Sequence, residues 1–192
     1  MVAKLNDIEV EEAKVNLRKD ALDLYYKSCF SIAKAINSIS HGLHSWSVVQ
    51  LYYSVFYAMR AELAINDIGF AKNNGIYIWR LSENEGPEKV DGKRVRGDHA
   101  STIKAYKKIV GESDVLQTNT IDEVCVYSWL MERRNDVNYR DRSFSEPFPG
   151  NFYSDLFESD KIERVITDYL YDDLPIFCFD RDHAMLAAPI KR

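Results

Sequence analysis

Cysteine, glycine and proline are all scarce in this sequence. Three cysteines, Cys29, Cys125 and Cys178, are scattered through 192 residues without a CxxC pair. An odd, dispersed set argues against a disulfide framework and a cysteine-based zinc site, and reads as buried thiols in a reducing compartment. Eight glycines and five prolines exclude collagen-like and low-complexity architectures. The four histidines, at 41, 44, 99 and 183, have no glutamate three residues before them. The Glu-x-x-His pairs of a di-iron bundle are therefore missing. No GxxxxGK[ST] phosphate loop, GxGxxG fingerprint or GxSxG elbow occurs. No metal or cofactor is expected. Positive charge is not in excess either. A net charge of −5 excludes a nucleic-acid polycation, so any anion site must be a local patch. The opening MVAKLNDIEVEEAK lacks the apolar core of a secretory signal. With the cysteine usage, this points to a cytoplasmic protein.

What the sequence has in quantity is apolar surface to bury. At 46% hydrophobic and 12% aromatic residues, one sizeable core is expected, and 1–192 reads as a single domain. The richest stretch is Trp46 to Ile65, with apolar side chains nearly all round, as in a helix buried on most sides. Ser47, Gln50, Ser54, Ala58 and Ala61 line one face with small or short side chains, where a neighbouring helix can approach. The run is nearly as long as a membrane span, but Gln50, Arg60 and Glu62 interrupt it and no second such segment exists. No membrane association is expected.

Residues 9–40 predict one long amphipathic helix. Val10, Ala13, Leu17, Ala21 and Leu24 repeat at three and four, and Tyr25, Cys29, Ile32, Ile36 and Ile39 continue the stripe. His41-Gly42 supplies the stop, and Ser45 has the side chain to N-cap the central helix. Residues 70–97 predict a β-excursion: IYIWRL (76–81) alternates, and Asp91-Gly92 signals a hairpin. Its Arg80, Lys89, Lys93, Arg94 and Arg96 are either an RNA-facing flap or the charges of a solvated edge.

Asp98 opens a third helix, with Ile103, Tyr106 and Val110 on one face and Gly111 ending it. His99 lies on that apolar stripe, as a packed histidine or an accessory group of a site. Thr120-x-x-Glu123 predicts a capping box opening a fourth helix over 121–138. The stripe Val124, Tyr127, Met131 of that helix runs on into Arg134 and Asn138. A charge extending an apolar stripe needs a buried partner or an interface. Pro147 and Pro149 break the chain, and Asn151 is the cap of a short helical segment. Asp160-x-x-Glu163 opens a last helix with Ile162, Val165, Ile166, Tyr169 and Leu170 inward. The tail 174–192 is apolar but without periodicity, and can dock on the bundle or on another subunit.

After these exclusions the chemistry is concentrated in RRNDVNYR at 133–140. Composition alone also allows a solvated helix end, its arginines complementing the dipole. The run YYSVFYAMRAELA (52–64) resembles the YYAMF-type helix of HEPN domains, small helical bundles named for higher-eukaryote and prokaryote nucleotide binding. DHASTIKAYKKI (98–109) resembles the family's third helix, with His99 and Tyr106 at its characteristic positions. RNDVNY (134–139) resembles its signature, an Arg followed after four to six residues by His, often with Asn beside the Arg. Arg134 and Asn135 fit. Tyr139 stands where most members have His, as in some bacterial members. The resemblance covers roughly residues 10–170.

It implies an all-α, up-and-down bundle of four to five helices, with 70–97 as a small β-hairpin insertion. It implies a homodimer that cleaves RNA without a metal, in a bacterial toxin–antitoxin or phage-defence system. Arg134, Asn135 and Tyr139 would be the catalytic set. Arg133, Asn138, Arg140, Lys93, Arg94 and Arg96 would be RNA contacts. An Arg fork suits the scissile phosphate and the charge developing on it. A phenol, which ordinarily titrates near ~10, suits positioning better than proton abstraction at neutral pH. The alternative is a catalytically silent module that binds a nucleotide, a cognate antitoxin or another partner such as a nucleotidyltransferase.

Overall fold

Helix dominates the described residues because apolar side chains recur at three and four in the longer runs and the glycines fall between them. The computed structural model describes residues 5–72, 75–82, 85–90, 97–111, 114, 116, 119–140, 159–172 and 183–192. Among these are six α-helices: α1 (Asp7–Ser40), α2 (His44–Ile65), α3 (Asp98–Ile109), α4 (Val126–Asn135), α5 (Ser159–Tyr171) and α6 (Ala184–Lys191). Strands β1 (Ile68–Lys72), β2 (Ile76–Arg80) and β3 (Glu88–Lys89) form an antiparallel sheet in that order, and β4 (Thr120–Ile121) pairs with β5 (Val124–Cys125). None of the described helices is long and apolar enough to cross a membrane.

A capping box opens α1, reciprocal between the backbone N–H and side chain of Asn6 and Glu9, at 2.9 and 3.0 Å. The helix ends where Gly42 turns left-handed, at φ 75°. The Gly42 N–H then donates to Ile39 O and the Leu43 N–H to Ser38 O, the Schellman pattern. Leu43 O at once accepts the first bond of α2, from Ser47 N at 3.1 Å. Leu43 is therefore the N-cap residue, and Ser45 lies inside the first turn rather than capping it. The α1 stripe also differs from expectation at its middle. Tyr25 and Cys29 are exposed, and Ser28 takes the inward position.

The contacts divide the chain into two compact units, Met1–Lys27 with Phe56–Gly111, and Ser28–Val55 with Glu112–Arg192. In the first, Phe56, Met59, Leu63 and Ala64 of α2 are buried, as are Val10 and Ala21 of α1 and Ile103 and Tyr106 of α3. Glu62 accepts a hydrogen bond from the Tyr106 hydroxyl at 3.0 Å. Arg60 stacks on Phe70, 4.1 Å from the ring centroid, and pairs with Asp98 at 3.3 Å. Burial holds the Arg60 guanidinium below its ordinary value, with Asp98 and Asp20 pulling it back. The sheet is real but begins earlier than the expected excursion. IYIWR pairs first with Ile68–Lys72, in the register Ile68↔Arg80 to Lys72↔Ile76. Ile68 and Ile78 face inward. The expected hairpin at Asp91-Gly92 lies outside the described residues.

In the second unit the small-residue face of α2 works as expected: Ser47 and Ser54 are fully buried, and Ser28 of α1 donates to Ser54 O at 2.8 Å. Trp129, Tyr127, Leu130, Tyr52 and Leu51 are fully buried, each contributing about 1.5–3 kcal/mol in removed apolar surface. Trp46, expected inside, is exposed at the start of α2. The Thr120–Glu123 capping box does not form. Asp122 and Glu123 both take positive φ, 50° and 64°, and make a two-residue hairpin between β4 and β5. The fourth helix thus starts only at Val126. Ile162 of α5 is buried as expected, whereas Leu170 is exposed. The tail is not irregular throughout: Ala184–Lys191 is a helix whose Ala184 to Pro189 are all buried.

Candidate functional site

Arg134 and Asn135 are the last residues of α4, and the chain continues as a π-helical turn over Asp136–Arg140. In an α-helix, positions five apart point well away from each other. The wider turn, with bonds from i to i+5, brings such positions towards one side. Arg134 and Tyr139 are five apart, and the guanidinium carbon lies 5.3 Å from the Tyr139 ring centroid.

Two tyrosines of α2 complete the surroundings. The guanidinium lies 5.8 Å from the Tyr52 ring and 5.6 Å from the Tyr53 ring, within cation–π range. Its Nη2 donates to the Tyr53 hydroxyl at 3.1 Å and its Nη1 to Asn135 Oδ1 at 2.9 Å. Nε is buried with no partner. Among the described residues Arg134 forms no ion pair. Every group that holds it is neutral: an amide, a phenol and three aromatic rings. Of the two acids nearest in sequence, Glu132 and Asp136, the latter is engaged by Arg133 at 3.0 Å. Tyr139 is 73% exposed, so its ring is one open wall of the site. The arrangement is a half-buried, preorganised cation with no carboxylate paired to it among the described residues and an exposed ring beside it. It can bind an oxyanion through the guanidinium and stack a flat group on Tyr139.

The other expected site residues are dispersed. Arg133 sits over Trp129, 5.7 Å from its centroid, and is occupied by Asp136. Asn138 is exposed in the single chain. Arg140 closes the π-turn. Lys93, Arg94 and Arg96 lie outside the described residues. In the first unit, Lys89, Lys104 and Lys108 line a pocket of about 230 Å³ with Ile78 and Ala105 beneath, and Glu88 holds Lys108 at 2.7 Å. His99 belongs to that unit too, its ring 4.5 Å from Phe56. Tyr53, inside the apolar run of α2, shows no sign of its role at Arg134 in the sequence. Its role comes from a partner 81 residues away, which no local pattern carries. Among the described residues no three His, Cys, Asp or Glu side chains are grouped to hold a metal ion.

No protein-family model, curated protein or solved structure matches this chain.

Proposed function

We propose that this chain is a HEPN-type helical protein that acts on RNA, with Arg134 on a backbone phosphate and Tyr139 beside the nucleotide. The observation that supports this reading is the uncompensated guanidinium. A cation whose described partners are all neutral costs desolvation without a Coulombic return from them, and a phosphate supplies that return. Metal-independent cleavage then has a defined division of labour. Arg134 stabilises the charge that develops on the phosphate oxygens. Asn135 and Tyr53 hold its fork in place. The Tyr139 hydroxyl positions the ribose or donates a proton. On the resemblance, the active form is a two-fold dimer with α4 at or near the interface, in a toxin–antitoxin or phage-defence setting.

The second reading, a silent module that binds a nucleotide or a nucleotidyltransferase-like partner, is favoured by the phenol where a group titrating near neutrality would serve better. One experiment separates the two. Wild type is incubated with mixed single-stranded and transfer RNA in excess chelator, and binding is measured in parallel. Under the leading reading, cleavage occurs. Arg134→Ala lowers it at least ~100-fold, and Arg134→Lys nearly as much, because lysine keeps the charge and loses the fork. Binding without cleavage, lost in Arg134→Ala, establishes the silent module. Neither binding nor cleavage removes both.

A further inference from the structure

The pocket of the first unit is built by the alternation of a strand and the repeat of a helix. Side chains alternate across a strand, and Ile78 pairs with Glu88 while Tyr77 pairs with Lys89. Ile78 and Glu88 therefore share one face of the sheet, where the Glu88 carboxylate meets Lys108 of α3 at 2.7 Å. Lys89 turns to the other face, its stem lying against Gly75 and Tyr77. On α3, residues four apart are neighbours on one side, which sets Lys104 beside Lys108. Ile78 and Ala105 close the floor of this space of about 230 Å³, and Val90 also lines it.

The charges of this pocket specify what it fits. The chain carries −5 overall, yet here two ammonium groups meet one carboxylate, so the local sign is reversed. Glu88 has a single charge and engages Lys108, whereas Lys104 has no acid paired to it among the described residues. The side chains of Lys108 and Glu88 are 58% and 64% exposed, and a pair so exposed contributes little. An anion of higher charge can therefore displace Glu88 readily and take both ammoniums. A phosphate monoester is such an anion. It carries nearly two charges at neutral pH, and lysine meets it as a point charge with no need of a fork. The floor of Ile78 and Ala105 is apolar, which suits an organic body rather than a hydrated ion.

We propose that this pocket binds a small organic phosphate monoester, its phosphate between Lys104 and Lys108 and its body on Ile78 and Ala105. Glu88 is the resident competitor, holding Lys108 until the ligand arrives. The site lies wholly within Phe56–Gly111 of the first unit, and it does not rest on the Arg134 reading.

The test is an NMR titration of the full chain with phenyl phosphate, read at the backbone amides of Ala105 and Lys108. Saturable shifts with a Kd on the order of 1 mM are expected. Lys104→Ala should weaken binding at least ~5-fold, and Glu88→Gln should tighten it about three-fold by removing the competing acid. Both positions are exposed, so neither change threatens the fold. Arg134→Ala should leave these shifts unchanged. Methyl phenyl phosphate, a diester with one charge, should bind at least ~5-fold more weakly. Equal binding of the diester would give the pocket to a nucleic-acid backbone and overturn the monoester. Inorganic phosphate should also bind at least ~5-fold more weakly, and equal affinity overturns the role of the apolar floor. The absence of saturable shifts overturns the proposal, and so does a Glu88→Gln variant that binds no better than wild type.

Discussion

Arg60 of the first unit and Arg134 of the second are both partly withdrawn from water, and the two are treated in opposite ways. Arg60 has a carboxylate at 3.3 Å and a phenylalanine face at 4.1 Å. Arg134 has three tyrosine rings, a phenol oxygen and an amide oxygen, with no carboxylate paired to it among the described residues. A structural arginine is neutralised where it stands, since an unpaired charge removed from water is costly. An arginine set among neutral groups keeps its field for a ligand. Arg60 is in this sense finished, and Arg134 is not.

The sharpest way to break this contrast is to remove each in turn. If the proposed reading holds, Arg134→Ala should lower RNA cleavage at least ~100-fold while costing little stability, because no described carboxylate is paired with the cation it removes. Arg60→Ala should leave RNA cleavage and binding within about two-fold. It should lower stability by about 1–2 kcal/mol through the lost stacking and ion pair, a shift of a few degrees in Tm. Cleavage assays and thermal melts on both variants decide it. If Arg60→Ala costs the activity and Arg134→Ala the stability, the assignment is reversed.

A smaller effect concerns the exposed wall. Tyr139→His puts a group with an ordinary pKa of about 6.5 beside Arg134 and should raise cleavage roughly 10-fold at neutral pH, with a new pH dependence centred near that value. Tyr139→Phe keeps the ring and loses the hydroxyl. Cleavage should fall while binding persists, and equal losses in both would make the hydroxyl a binding contact only. The smallest effect is at the support. Tyr53→Phe removes one hydrogen bond to Arg134, worth about 1 kcal/mol. About a five-fold loss of activity is expected, with circular dichroism unchanged.

Helices α1 and α3 were legible because each is half-buried, and half-burial is what periodicity records, while α2 was legible from the length of its apolar run. The same logic explains the failures. Residues Ala184–Pro189 are buried on all sides, so their sequence carries no alternation and the helix could not be told from an apolar tail. Ile68–Lys72 is only five residues long and directly follows a helix, so its alternation was absorbed into the end of α2. Thr120-x-x-Glu123 has the composition of a capping box, but Asp122 and Glu123 adopt left-handed conformations that composition does not announce. At the site, Arg134, Asn135 and Tyr139 were visible as a short motif. The π-turn that brings the ring to the guanidinium was not, and neither was Tyr53.

The left-handed pair at Asp122 and Glu123 also bears on the order in which this chain folds. A two-residue hairpin loop with positive φ at both positions is most favoured when its residues are asparagine and glycine. Here an aspartate and a glutamate occupy it, so the reversal has little preference of its own and waits for outside support. That support comes from Val126 N reaching Asn119 O at 3.2 Å and from the burial of Ile121 and Tyr127. The segment that leads into Arg134 is therefore expected to form late, on a core already in place, and substitutions at Ile121 should speed unfolding rather than slow folding.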